Sequence, residues 1–279
     1  VNRIYCVLHL LFEFAVEREY LSRSPLAKVR KIKSEKKGVR FLSDEQISRL
    51  MTAMAECRMR YLFHFILATG TRRGEALGLN WRDVDFENKQ VLIRQALVKD
   101  KNETVKIGSL KKETAARQIP LTKEDFAVLM EWQKVQDAEK ALLGPAYQEK
   151  GLVFCRVDGQ PIYPDTPGEW LEDYCVAANI QRFKLHELRH TYASRMIRAG
   201  THPKVIQELL GHTKITVTMD TYGHLFPGMK REAVDKATPV LQKPKQDGAK
   251  GAPDQAEDSV SPADDATDSG PVNGEQKSG

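Results

Sequence analysis

Long apolar runs are missing from this chain: nowhere do about 18 apolar residues follow one another, so no bilayer-spanning helix is expected. The first residues also lack the basic, apolar and small-residue order of a secretory leader, which makes an intracellular location the expectation. Cysteine is scarce. Cys6, Cys57, Cys155 and Cys175 are scattered without a C-x-x-C pair, so neither a disulfide framework nor a zinc ribbon is expected, and the thiols read as buried and reduced. There is no G-x-S-x-G serine and no carboxylate pair of the kind used for general acid and base work, which removes two common hydrolytic chemistries.

What is present is a basic body with an acidic end. The 279 residues carry a net charge of +5 and are 41% hydrophobic, enough for one large domain or two modest ones. From Lys243 to Gly279 eight acidic residues face four basic ones, so this stretch carries −4 and residues 1–242 carry +9. An excess of that size favours an anionic partner. After Leu241 the composition turns to Pro, Gly, Ala, Ser, Asp and Gln, and residues 243–279 are expected to be a disordered acidic tail.

The chain opens directly in an amphipathic pattern, with Ile4, Val7, Leu8, Leu11, Phe14 and Ala15 on one helical face, as though an N-terminal part preceded it. From Ser24-Pro25 a linker runs through Lys28, Arg30, Lys31, Lys33, Lys36 and Lys37, and these cations suit a strap along phosphates. Ser43-Asp44-Glu45-Gln46 is a capping-type entry into a helix carrying Ile47, Leu50, Met51 and Met54. Two helices are expected to meet at Gly70. Residues Gln90–Leu97 and Val105–Leu121 contain short β-type runs that predict one small antiparallel sheet, and Asp158-Gly159 predicts a hairpin. His186–Ala199 and Pro203–Leu210 read as helices stopped by Gly200 and Gly211. The class expected is α+β, mostly α-helical, with a small antiparallel β-sheet.

Three separated islands carry the chemistry: Arg72 to Glu75, His186 to His190, and Gly211-His212 through Tyr222-Gly223-His224. Their side chains are cations, imidazoles and one phenol, a set suited to phosphoryl transfer. A pentacoordinate phosphate needs its nonbridging oxygens held by fork-shaped donors, and Arg supplies two parallel N–H groups where Lys supplies a point charge. The spacing in His186-Glu187-Leu188-Arg189-His190 puts His186, Arg189 and His190 on one side of a helix, near its positive N-terminal end.

Four stretches in this order resemble the motif series of the tyrosine recombinases, the phage-integrase family. They are Thr69-Gly70-Thr71-Arg72-Arg73-Gly74-Glu75, Leu185-His186-Glu187-Leu188-Arg189-His190-Thr191, Leu209-Leu210-Gly211-His212-Thr213, and Asp220-Thr221-Tyr222-Gly223-His224. The resemblance covers about residues 40–235. It implies a catalytic domain over residues 37–242, preceded in residues 1–36 by the end of a helical core-binding domain and the basic linker. It also implies that Tyr222 is the nucleophile and that Arg72, His186, Arg189 and His212 surround the scissile phosphate with one lysine, His186 assisting removal of the tyrosine's proton and the lysine protonating the leaving oxygen. That lysine is Lys111, or alternatively Lys112, in a stretch that resembles the family's β-hairpin but doubles the lysine. Glu75 would orient Arg72. Implied partners are double-stranded DNA and three further copies in a homotetramer on two DNA sites, with Leu225, Phe226, Met229 and Val234 docking on a neighbouring copy. No metal or other cofactor is implied, and the expected place is the cytoplasm, at the nucleoid.

Other readings draw on the same residues. His186-Glu187-Leu188-Arg189-His190 spells the H-E-x-x-H of zinc proteases, which leaves Arg72, His212 and Tyr222 without a role. A DNA-binding regulator of the same fold without the chemistry, or a topoisomerase-like enzyme that only relaxes DNA, are the remaining alternatives.

The linker generates a direct test. Replacing Lys31, Lys33, Lys36 and Lys37 together with Ala should flatten the fall of DNA affinity with salt, by about 0.9 in the log-log slope for each phosphate no longer neutralised. An unchanged slope in a salt titration would remove the linker from the interface.

Overall fold

In a computed structural model the described residues are 2–30, 32, 38–100, 104–109 and 116–226. Lys31, Lys33, Lys36, Lys37, Lys111, Lys112, Met229, Val234 and the acidic tail lie outside them.

The amphipathic opening forms helix α1 (Asn2–Glu17), but its apolar stripe is not covered: no α1 residue is buried, and Ile4, Val7, Leu11 and Phe14 are exposed. Cys6 lies on this helix and is exposed too, against the expectation that all four thiols are buried; Cys155 and Cys175 are buried. Helix α2 (Asp44–Ala53) starts where Ser43 predicts. The Ser43 hydroxyl accepts from the Gln46 N–H and the Gln46 side chain accepts from the Ser43 N–H, a reciprocal cap of about 1 kcal/mol.

Helix α3 (Arg60–Thr69) is the centre of the core. Tyr61, Leu62, Phe63, Phe65, Ile66 and Leu67 are all buried, because other elements cover it all round rather than along one stripe. It ends at Gly70, whose φ of 63° only glycine adopts at little cost, and the chain re-enters helix at once in α4 (Arg73–Leu77).

Where one sheet was expected, the described strands form two. Strands β1 (Val84–Asp85), β2 (Gln90–Ile93) and β5 (Arg117–Pro120) make an antiparallel sheet in the order β1-β2-β5, while β3 (Gln95–Lys99) and β4 (Val105–Ser109) pair separately. The break falls at Arg94, between β2 and β3, where the guanidinium turns to the buried carboxylate of Asp83 at 2.6 Å. The Asp158-Gly159 hairpin is reduced to a turn with a single bridge, Cys155 to Pro161. Ladder formation stops there because Leu152, Val153 and Phe154 face inward to the core and are met by helix side chains. Trp132 Nε1 donates to the Val153 carbonyl at 2.6 Å and Gln136 Nε2 to that of Leu152 at 3.0 Å.

Those partners stand on α5 (Lys123–Leu143), while α6 (Thr166–Ala177) packs against α2 and the helix that follows it; neither helix was expected from the residue pattern. Both carry weak apolar periodicity. The last third contains the two expected helices, α7 (Leu185–Arg198) and α8 (Pro203–Leu210) ended by Gly211 at φ 64°, and a further one, α9 (Ile215–Tyr222). A second apolar cluster, Tyr192, Ala193, Ile197, Ile206, Leu210 and Tyr222, joins these three helices. Leu225 and Phe226 pack against that cluster in their own chain, so these two side chains are already half covered. Among the described residues no helix is long and apolar enough to cross a membrane.

Gly70 ties the two clusters together, since a Cβ there would overlap the Tyr192 ring and approach Leu210. Gly70→Ala should therefore lower the unfolding free energy by about 1–3 kcal/mol from backbone strain alone, with a further drop from the overlap. Urea titration of the two proteins measures this, and an unchanged midpoint would mean the α3–α4 junction is not held as described.

Candidate active site

Glu75 is the electrostatic anchor of the site. It is 2% exposed, on the short helix α4, and both of its oxygens are taken: Oε1 accepts from Arg72 Nη1 at 2.7 Å, and Oε2 from Arg117 Nη2 at 2.7 Å and the Arg72 backbone N–H at 2.9 Å. Burial alone would raise the Glu75 carboxyl. The Arg117 hydrogen bond and charge, followed by the Arg72 N–H and charge, overcome that and hold its pKa at about 2. Arg72, the residue Glu75 is expected to orient, is thus in direct contact with it.

Arg189, on α7, is 2% exposed and has no carboxylate partner among its hydrogen bonds. Its Nη1 donates to the Gly70 carbonyl at 2.8 Å and its Nη2 to that of Leu210 at 2.7 Å. Burial first, then the charges of Arg72 and Arg117, bring its pKa down to about 9, which leaves it charged at neutral pH. Arg117 Nε donates to the Leu209 carbonyl at 2.7 Å, and Arg72 Nη2 to that of Gly211 at 3.3 Å.

These acceptors are the last carbonyls of α3 and α8, which have no partner within their own helices and carry the negative end of the helix dipole. Two helix ends thus hold three guanidiniums. Against the single carboxylate of Glu75, the three leave two positive charges uncompensated.

The imidazoles flank this cluster. His212 follows Gly211, and its Nδ1 lies 2.9 Å from the Thr218 hydroxyl. Burial, then Arg189, Arg72 and Arg117, lower its pKa to about 4, so it is neutral at pH 7. His186 and His190 meet edge to face with ring centroids 4.8 Å apart on α7. Burial lowers both, and His190, with His186 and Arg189 beside it, falls to about 4. Tyr222, at the end of α9, is 1% exposed; its hydroxyl lies 2.7 Å from His190 Nδ1, and burial raises its pKa to about 12.

The six described residues singled out from sequence therefore converge: Arg72, Glu75, His186, Arg189, His212 and Tyr222 are linked by direct contacts or through-space charge effects. Sequence reasoning missed three participants. Arg117 was legible in principle, because strand alternation puts it on the same face as the buried Ile119, and an Arg at an inward position is a flag. Thr218 carried no signal. His190 was placed on the right side of α7, but nothing in the sequence set it rather than His186 against the phenol.

Two clefts flank the cluster. One of about 470 Å³ is lined by Arg72, Arg73, Lys184 and His186 with one acid, Glu172, and another of about 490 Å³ by Arg117, Lys204, His212 and Lys214 with one acid, Glu208, so cations outnumber acids in both. A larger cavity of about 680 Å³, between Met59, Trp170 and Tyr174, shares no residue with the site. The H-E-x-x-H residues are used otherwise: the Glu187 carboxylate turns back to accept from the Lys184 N–H at 2.6 Å, and His190 holds Tyr222. Among the described residues no group of three His, Cys, Asp or Glu is placed to hold a metal ion.

Arginines gathered around one buried carboxylate beside a phenol are residue types suited to holding a phosphate, and comparison with known proteins gives the family. Residues 40–228 match the phage integrase family, and the chain belongs to that family. It is 31% identical over 248 residues to a tyrosine recombinase XerC-like protein of Caldanaerobacter subterraneus subsp. tengcongensis, covering 82% of this chain and 63% of the relative. It is 26% identical over 243 residues to the ICEBs1 integrase of Bacillus subtilis, covering 86% and 66%. The chain thus spans just under two thirds of the length of these relatives. Its fold is that of the Tn1549 transposon integrase solved in complex with a circular intermediate DNA, with a TM-score of 0.68 at 20% identity over 81% of this chain and 75% of the other. XerA recombinase is also similar, with a TM-score of 0.54 at 20% identity over 86% and 76%.

The depressed histidines generate a pH test. In the unfolded chain His190 and His212 bind protons near the ordinary 6.5, but in the folded chain only near 4. As pH falls through that window the unfolded state takes up protons first, so stability present at pH 7 is lost between about 6.5 and 4, by at most about 1.4 kcal/mol per pH unit for each histidine. Urea midpoints followed from pH 7 to 5 should fall less steeply in the His190→Gln/His212→Gln double variant. Parallel falls in both proteins would show that these rings are not buried neutral.

Proposed function

We propose that this chain is the catalytic part of a site-specific DNA recombinase that cuts and rejoins strands through a covalent bond between Tyr222 and a 3′-phosphate. The observation that carries this is the site's charge: Arg72, Arg117 and Arg189 face one carboxylate, and the missing negative charge is that of a phosphodiester next to a phenol. Arg72 and Arg189 neutralise the nonbridging oxygens as charge builds up on them, and neutral His212 donates a further hydrogen bond. Arg117 acts from behind, fixing Glu75 and the α8 end.

Tyr222 attacks in line, a 5′-hydroxyl leaves, and attack by a partner strand's 5′-hydroxyl reverses the step. The bond energy is kept in the phosphotyrosyl link, so no nucleotide hydrolysis is needed. Lys111, or alternatively Lys112, protonates the leaving oxygen. Because Tyr222 is 1% exposed, engagement of DNA has to open a path to its oxygen.

Double-stranded DNA is the substrate in this reading, supported by the +9 charge of residues 1–242 and by the integrases and recombinases among the relatives. Four copies act on two DNA sites. Residues 1–36 are the end of a core-binding domain and linker, a reading supported by the uncovered apolar face of α1; 37–242 form the catalytic domain, and 243–279 an acidic tail dispensable for cleavage. The protein works at the nucleoid.

A regulator of the same fold without chemistry is distinguished by one substitution. Tyr222→Phe should keep DNA binding but form no covalent protein–DNA adduct on nicked suicide duplexes, where the wild-type chain does. Adducts from the variant, scored on denaturing gels, would sink the nucleophile assignment.

A further inference from the structure

Tyr222 is a buried phenol whose proton has to go somewhere when its oxygen attacks phosphorus. Two imidazoles lie on that side of α7, and the fold treats them differently. His190 Nδ1 is 2.7 Å from the Tyr222 oxygen, with the two ring centroids 5.6 Å apart and their planes at 67°. His186 lies one turn closer to the start of α7 and lines the cleft that also holds Arg72 and Lys184. One histidine faces the phenol and the other faces the phosphate side.

We propose that His190, and not His186, is the catalytic base that takes the proton of Tyr222 during strand cleavage and returns it during rejoining. This rests on the recombinase reading above. In the cleavage step the O–H bond of Tyr222 breaks and the proton passes to Nδ1 of a neutral His190, which becomes an imidazolium. The phenolic oxygen forms its bond to phosphorus as the bond from phosphorus to the 5′-oxygen breaks. The electron pair leaves on the 5′-oxygen, which takes a proton from the lysine. Rejoining runs backwards: the 5′-hydroxyl attacks, the phenolic oxygen departs, and His190 gives its proton back.

The surroundings support this division. His190 is kept neutral by its burial and by the neighbouring His186 and Arg189, so one of its ring nitrogens can accept a proton, and Nδ1 is the one 2.7 Å from the phenol. Tyr222, in turn, is pushed up to about 12 by burial, with Arg189 pulling the other way, so the phenol does not ionise unaided at neutral pH. The groups facing His190 are His186 and Arg189 from its own helix and Tyr222 from α9. His186, beside Arg189 and Arg72, is left to hold the phosphate.

The test uses the full chain and a nicked duplex selected from a randomised library by covalent capture on the wild-type protein. Single-turnover adduct formation should slow by about 10² or more in His190→Ala, the usual effect of removing a general base. His190→Gln, which keeps a hydrogen-bond acceptor without basicity, should be slowed by a similar factor, and it covers the case in which His190→Ala does not fold. A ring-fluorinated tyrosine at position 222, whose phenol ionises without a base, should then restore at least tenfold of the rate to either His190 variant and nothing to His186→Ala. No rescue of the His190 variants, or equal rescue of His186→Ala, overturns the assignment. Failure of the wild-type chain to capture any duplex would instead overturn the recombinase reading itself, and this inference with it.

Discussion

Everything in the site depends on how three guanidinium groups, Arg189 buried, Arg117 nearly so and Arg72 partly exposed, are held charged around one carboxylate. Like charges held near one another repel, and taking the buried ones out of water costs several kcal/mol each. The chain offsets that with one fully ionised carboxylate, Glu75, and with four carbonyls from the C-terminal ends of α3 and α8. Because those carbonyls belong to helix ends, they cannot move independently of α3 and α8. The positions of Arg72, Arg117 and Arg189 are therefore fixed by the packing of the two apolar clusters.

The arrangement is balanced for an incoming anion. Two positive charges remain after Glu75 is counted, while burial first, and then neighbouring charges with Arg189 common to both, keeps His190 and His212 in their neutral forms. A neutral imidazole is both a hydrogen-bond donor and an acceptor, whereas an imidazolium is a donor alone. The arginines thus bind phosphate and, by their charge, help prepare the histidines that assist the reaction. Glycines at 70 and 211 let these parts approach: a Cβ on Gly211 would stand 2.6 Å from Arg117 Nη1.

Much of this was legible in the residues. The helix starts at Ser43 and Pro203 and the helix ends at Gly70 and Gly211 follow from local chemistry, since caps and positive-φ positions are decided within a few residues. The four-part motif series is legible for a related reason: each part keeps its functional side chains at helical or turn spacing, which sequence displays directly. Helices α5 and α6 were not legible, because they bury residues such as Trp132, Gln136 and Cys175 against loops and other helices, without a regular stripe. The split into two sheets left no mark in the pattern because it hinges on Arg94 reaching Asp83, a contact between side chains 11 positions apart with no periodic trace.

By itself the sequence determined the family, the α+β class and the residue types of the site, since these rest on local patterns and on side-chain chemistry that position in the chain already reveals. Tertiary structure alone decided the partners. That Arg117 shares Glu75 with Arg72, that Arg189 is held by carbonyls and no acid, and that Tyr222 meets His190 rather than His186 all depend on where α8 and α9 come to rest against α7. Those contacts join residues up to 119 positions apart, and their geometry is set by the packing of apolar faces that no local spacing encodes.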